Sequence, residues 1–140
     1  MSADYFLDTN LFVYTFDLGS PEKSSRAREL IQEALRTGAG IISYQVVQEF
    51  FAVALRKFAS PMTAPEAETY LAAVLRPLLA VHSSEALYVE AFQLLGRLKI
   101  SWYDSLIIAA ALSAGCRILY TEDMQHGLRV GDLQVINPFL

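Results

Sequence analysis

The chain has 140 residues, of which 54% are apolar and 19% charged, with a formal net charge of −4 and a mean hydropathy of +0.32. A chain of this length and apolar content reads as one folded domain, 1–140, and excludes intrinsic disorder. Its acidic balance excludes a protein wrapped in nucleic acid, no apolar run reaches the ~18 residues of a membrane helix, and the opening MSADYFLD lacks a signal peptide's basic and apolar regions, so the cytoplasm is the expected compartment.

Short apolar runs alternate with longer helical segments, the pattern of a parallel sheet covered by helices. The first run, YFLD at 5–8, reads as a buried strand that ends on an acid. An ionised carboxylate taken out of water costs several kcal/mol unless it finds a cation or hydrogen-bond donors, so Asp8 either caps a helix at LFVYTF or faces a positive ligand. A helix over 24–36 sets Ala27, Leu30, Ile31, Ala34 and Leu35 on one face and is stopped by Gly38 and Gly40. The strand GIIS at 40–43 leads into a helix over 44–58, striped by Val47, Phe50, Phe51, Ala54 and Phe58. Thr63 and Glu66 form a capping box that opens a helix to about Arg76, where Pro77 ends it. The strand LLAVH at 78–82 is followed by helices over 84–98 and 101–114, the second capped by Gly115, and the strands RILYT at 117–121 and QVIN at 134–137 complete about five.

In an open parallel sheet, ligands collect outside the carboxyl ends of the strands. Asp8 terminates the first strand and Asp123 follows the fourth by two residues. Glu49, in SYQVVQEFF, lies one and a half helical turns beyond the second strand, and Asp104, in SWYDSLIIAAAL, lies in the first turn of a helix that should start at the same crevice. Taken singly, each acid has a structural alternative. Asp8 could cap a helix, Asp104 could close a capping box with Ser101, Glu49 could sit in a helix-face salt bridge, and Asp123 could be a turn residue. Taken together, they point to one acidic crevice. Anions gathered there would repel one another, and only cations make the arrangement stable. Carboxylate oxygens without Cys or His ligands suit Mg²⁺ or Mn²⁺, which activate water and stabilise displacement at phosphorus. A metal-dependent phosphodiesterase acting on nucleic acid is the expectation. His82 and His126 stand outside the acidic motifs and read as surface or turn residues, and the lone Cys116 as a small buried thiol.

The ordered set LDTN, SYQVVQEFF, WYDSLIIAAAL and ILYTEDMQHG resembles the PIN-domain family, and within it the VapC-like toxin ribonucleases, over nearly the whole chain. The resemblance implies a three-layer α/β/α fold around a central parallel sheet, with Mg²⁺ or Mn²⁺ bound by Asp8, Glu49, Asp104 and Asp123 and with water attacking an RNA phosphodiester. Asp8, Glu49 and Asp104 are expected to hold one metal, and Asp104 with Asp123 to place a second metal or the attacking water. Asn10 and Thr121 resemble the family's supporting polar residues, which orient carboxylates or bound water; for Asn10, capping the first helix is the alternative. A homodimer and a cognate antitoxin, whose tail enters the active-site groove, are implied as partners, with no membrane association.

Basic residues such as Lys23, Arg26 and Arg28 are scattered without a compact run. Trp102 and Tyr103 could stack on a base or serve as core or dimer contacts. Glu122 could add a metal contact or, beside Asp123, face solvent. A catalytically silent PIN-like binding module working through a protein partner, and a housekeeping RNase, are the alternative functions. A response-regulator receiver needs an Asp at the end of the third strand, which here ends AVHSS, and a Lys after the last strand, where no Lys follows Lys99. A haloacid-type phosphatase would need an acid where Asn10 stands.

Overall fold

The computed structural model describes residues 3–140. Strand β1 (Tyr5–Leu7) is buried along its length and pairs in parallel with β2 (Gly40–Ser43) on one side and β4 (Ile118–Tyr120) on the other, which puts it at the middle of the sheet. β3 (Leu79–Val81) extends the sheet beyond β2, and β6 (Leu133–Ile136) extends it beyond β4, again in parallel. A two-residue strand, β5 (Arg129–Val130), pairs antiparallel with β6. The strand order is therefore β3-β2-β1-β4-β6-β5. All five expected strands are present, and β5 is an addition. Two residues are too few to display a strand period, and the hairpin turns on Gly131, whose positive φ of 59° only glycine adopts readily.

Helices α1 (Thr9–Tyr14), α2 (Pro21–Thr37), α3 (Tyr44–Ala54), α4 (Ala64–Tyr70), α5 (Arg76–Leu78), α6 (Glu85–Arg97) and α7 (Trp102–Ser113) connect the strands and flank the sheet. α2 starts three residues earlier than its apolar period suggests, because Pro21 occupies the first turn, where its missing N–H costs nothing. The two glycines after α2 do different work. Gly38 caps the helix in the left-handed conformation. Gly40 opens β2 where a Cβ would fall 2.4 Å from the Tyr5 ring and 2.6 Å from the Ala34 side chain, so it permits helix, strand and neighbouring strand to close together.

The capping box at Thr63 and Glu66 is formed in both directions, 3.3 and 3.0 Å. Pro77 does not end the helical path. A wide π turn over Leu71–Leu75 precedes α5, and the path runs one residue past the proline to Leu78. A π turn shifts the hydrogen-bond register, which is how a helix can absorb a proline's missing donor.

Every residue of α7 from Ser105 to Ala111 is buried. A helix with no polar face belongs inside, and α7 packs against α6 and β4. Its amino end is thereby fixed next to the carboxyl ends of β1, β2 and β4, which the parallel pairing brings to one edge of the sheet. Among the described residues, no helix is long and apolar enough to cross a membrane.

Candidate active site

Asp8 leaves β1 and caps α1. Its Oδ1 accepts from the Thr9 backbone N–H at 2.7 Å, its Oδ2 accepts from the Thr121 hydroxyl at 2.8 Å, and its own N–H continues the β1–β4 ladder to the Tyr120 carbonyl at 3.0 Å. The capping alternative and a place at the sheet edge are thus both true of the same side chain. Asp8 is only 5% exposed. Burial raises its pKa from the usual carboxylate range to about 7, the hydrogen bonds from Thr121 and Thr9 pull against the rise, and the charges of Glu49 and Asp123 add to it.

Thr121 is fully buried and serves as a hub. Its oxygen accepts from the Asp123 backbone N–H at 3.1 Å and from Asn10 Nδ2 at 3.4 Å. With only one hydrogen to give, the hydroxyl commits that hydrogen to Asp8. Asn10 therefore acts through Thr121 and not directly on a carboxylate, and its Oδ1 is buried without a partner among the described residues.

The other acids arrive from separate elements. Glu49, on α3, accepts from the Thr9 hydroxyl at 2.9 Å and has no ion pair among the described residues. Asp104 lies in the first turn of α7, where its N–H donates to the Ser101 hydroxyl at 3.1 Å, so Ser101 is the cap. Burial raises the Asp104 pKa, the Ser101 hydrogen bond opposes the rise, and the charge of Asp123 adds to it. Asp123 is exposed on the loop after β4. All four acids line one cleft of about 410 Å³, together with Thr9, Asn10, Gln45, Tyr103 and Glu122.

Glu122 is half-buried, and the protein's own groups hold both of its oxygens. Tyr14 donates to one of its oxygens, and Lys23 pairs with the other at 2.5 Å. The Lys23 ammonium also stands 4.9 Å from the centre of the Tyr14 ring and 5.6 Å from that of Phe139. This cation is held at the rim, and no Lys or Arg reaches Asp8 among the described residues.

The carboxylates share a cleft without closing on a point: among the described residues, no three His, Cys, Asp or Glu side chains stand close enough to share a metal ion. Asp8 is fixed by its two hydrogen bonds, whereas Glu49 and Asp104 are half-buried and Asp123 is exposed, which leaves them free to turn and subject to mutual repulsion. The donor set, hard oxygens around a buried and uncompensated acid, fits Mg²⁺ or Mn²⁺ in kind.

The sequence reading did not single out Thr9, Gln45 or Tyr14, and it named Lys23 only among scattered basic residues. Gln45 lies four residues before Glu49 and Tyr14 four after Asn10, so helical spacing places each on a face already of interest. Lys23 has no local signal, because it reaches the cleft by the packing of α2 against α1. Both histidines are exposed, and His126 accepts the Asn137 N–H in a turn at 3.0 Å. Cys116 is buried, which pushes its thiol pKa to about 12.

A family model described as PIN domain matches residues 5–128. No curated protein matches the sequence significantly. Similar solved structures include a Mycobacterium tuberculosis VapC20 described as a sarcin-ricin loop cleaving toxin, 21% identical over 86% of this chain and 90% of that one, with a TM-score of 0.64. A DNA-bound VapBC from Salmonella typhimurium is 18% identical over 95% and 96% of the two chains, with a TM-score of 0.67. FitAcB from Neisseria gonorrhoeae is 18% identical over 96% and 98%, with a TM-score of 0.66. At these identities the likeness concerns the fold.

Proposed function

The chain belongs to the PIN domain family, and from that premise we propose that it is a metal-dependent endoribonuclease, the toxin of a type II toxin–antitoxin pair, which hydrolyses RNA phosphodiester bonds. The observation that carries this reading is Asp8: a buried acid with its pKa raised to about 7, in a cleft with Glu49, Asp104 and Asp123 and, among the described residues, no Lys or Arg paired with it. A site that gathers negative charge without compensating it is adapted to receive a positive ligand.

In this reading Asp8, Glu49 and Asp104 hold one Mg²⁺ or Mn²⁺, and Asp104 with Asp123 place a second ion or the attacking water. A divalent ion bound there would supply Lewis-acid activation of water and of the phosphodiester. Thr121 holds Asp8 in one orientation by donating to Oδ2, Asn10 and the Asp123 N–H keep the Thr121 hydroxyl pointed that way, and Thr9 steers Glu49. The toxin assignment draws on the solved neighbours, two of which are VapBC or FitAcB structures and one a toxin described as cleaving the sarcin-ricin loop. By the same analogy the partner is a cognate antitoxin, the chain works as a homodimer, and its place of action is the cytoplasm.

The test is cleavage of structured and unstructured RNA by purified protein in Mn²⁺, in EDTA, and with Asp8→Asn. Cleavage is expected in Mn²⁺ alone. Cleavage that persists in EDTA or in the variant would contradict the reading.

A further inference from the structure

Adjacent aromatics at the start of α7 have opposite fates. Trp102 is half-buried along α6, its ring centre 4.7 Å from that of Phe92 and stacked over Tyr88 at 6.3 Å. Tyr103 remains 62% exposed, yet it lines the acidic cleft, one residue before Asp104. Exposing a large aromatic ring forgoes burial worth a few kcal/mol, and the surface it presents here is the wall of a cleft.

The backbone beneath that ring is held firmly. Gln45 is 4% exposed, and its Nε2 donates to the Tyr103 carbonyl at 3.2 Å, tying α3 to the first turn of α7. Ser101 caps the same turn, and Trp102 anchors it through α6. A free ring on a fixed backbone, beside an acid of the candidate metal centre, has the properties of a stacking platform. At the rim, Tyr14 and Glu122 line the same cleft, and Lys23 pairs with Glu122 there. An exposed aromatic face along a groove is one of the elements with which proteins hold single-stranded nucleic acid, by taking the face of a base. A paired base keeps its faces inside the helix stack, so such a platform is open only to an unpaired one.

We propose that Tyr103 forms a base-stacking subsite, in which its ring receives an unpaired nucleobase of the RNA next to the phosphodiester being cleaved. This rests on the ribonuclease reading above and adds to it the residue that receives the base. Tyr103 is here a binding residue, and its contribution falls on capture of the substrate.

The experiment compares wild type, Tyr103→Ala and Tyr103→Phe on an oligoribonucleotide, on the same sequence closed into a duplex, and on a version with one abasic position at the cleavage site, all in Mn²⁺, with the oligomeric state of each protein measured by analytical ultracentrifugation. For Tyr103→Ala, KM on the single strand should rise roughly 5- to 150-fold, the span of base–aromatic stacking by alanine substitution, with kcat within about twofold. Tyr103→Phe, which keeps the ring, should match wild type. The abasic substrate should erase the difference between wild type and Tyr103→Ala, and the duplex should be a poor substrate for every form. If wild type cleaves RNA in a metal-dependent way while Tyr103→Ala has an unchanged KM, the subsite is refuted and the ribonuclease reading stands. A raised KM that accompanies a changed oligomeric state would assign Tyr103 to an interface between copies and overturn the stacking. Wild type that cleaves no RNA would remove both.

Discussion

Two acids in the same cleft, Asp8 at its floor and Glu122 at its rim, have opposite electrostatic surroundings. For Glu122, burial pushes the pKa up, but hydrogen bonds from Lys23 and Tyr14 and the charge of Lys23 outweigh it, and the net effect is a lowered pKa. For Asp8, burial is nearly complete and its neighbours in charge are Glu49 and Asp123, so the pKa climbs to about 7. The fold has brought a lysine to within 2.5 Å of the rim acid and, among the described residues, brings none to the floor acid. A chain that neutralises the rim carboxylate with its own lysine and pairs the deeper one with no Lys or Arg among the described residues has a floor suited to a cation from outside.

The largest break in this contrast is Asp8→Asn. It should reduce RNA cleavage below detection in a gel assay, because the fixed donor at the floor is lost. Next comes Thr121→Val, which preserves shape and deletes the hydroxyl hub. Asp8 Oδ2, Asn10 Nδ2 and the Asp123 N–H all lose their partner. Activity is expected to fall roughly 10- to 100-fold, as when groups that orient metal ligands are removed, and thermal or urea unfolding should show a loss of about 1–3 kcal/mol.

The third expectation concerns pH. The native pKa of Asp8, about 7, lies above its ordinary value of 3.8, so between these values the folded protein binds more protons than the unfolded chain. Stability in metal-free buffer should therefore decline as pH rises from about 4 to about 7, by roughly 4 kcal/mol at most. A hundredfold excess of Mn²⁺ over its Kd at pH 7 should return about 2.7 kcal/mol, seen as a melting temperature higher by roughly 10 °C. The smallest effects belong to the outer groups. Asp104→Asn in metal-free buffer should stabilise by under about 1 kcal/mol, since Asp104 is half-buried and partly screened. Lys23→Met, which breaks the rim pair, should cost no more than about 1 kcal/mol, because both partners retain solvent contact. Were the rim substitution to cost more than the hub substitution, the contrast between floor and rim would be inverted.

Much of this arrangement can be read in the chain. Runs such as YFLD and GIIS are legible as strands because burial on both faces demands unbroken apolar sequence, and α7 announces itself by an apolar stretch with no polar face. The acids could be assigned to one sheet edge because parallel strands fix where their carboxyl ends lie. Other features depend on tertiary structure and leave little local trace. The hairpin β5–β6 is too short for a period. The π turn before Pro77 replaces a stop with a shift in register. Lys23 meets Glu122 only because α2 packs on α1, across a separation no helical spacing could bridge. The same holds for the divergence of Trp102 and Tyr103, neighbours in the chain whose rings are separated by the helical turn and by the presence of Phe92 and Tyr88 on one side alone.

The claim that the cleft floor takes a divalent cation is tested most directly by calorimetric titration of Mn²⁺ into wild type and into Asp8→Asn at pH 7, with folding of both checked by circular dichroism. Saturable binding to wild type, abolished or at least tenfold weaker in the folded variant, is the predicted result. Equal affinity in the two proteins would contradict it.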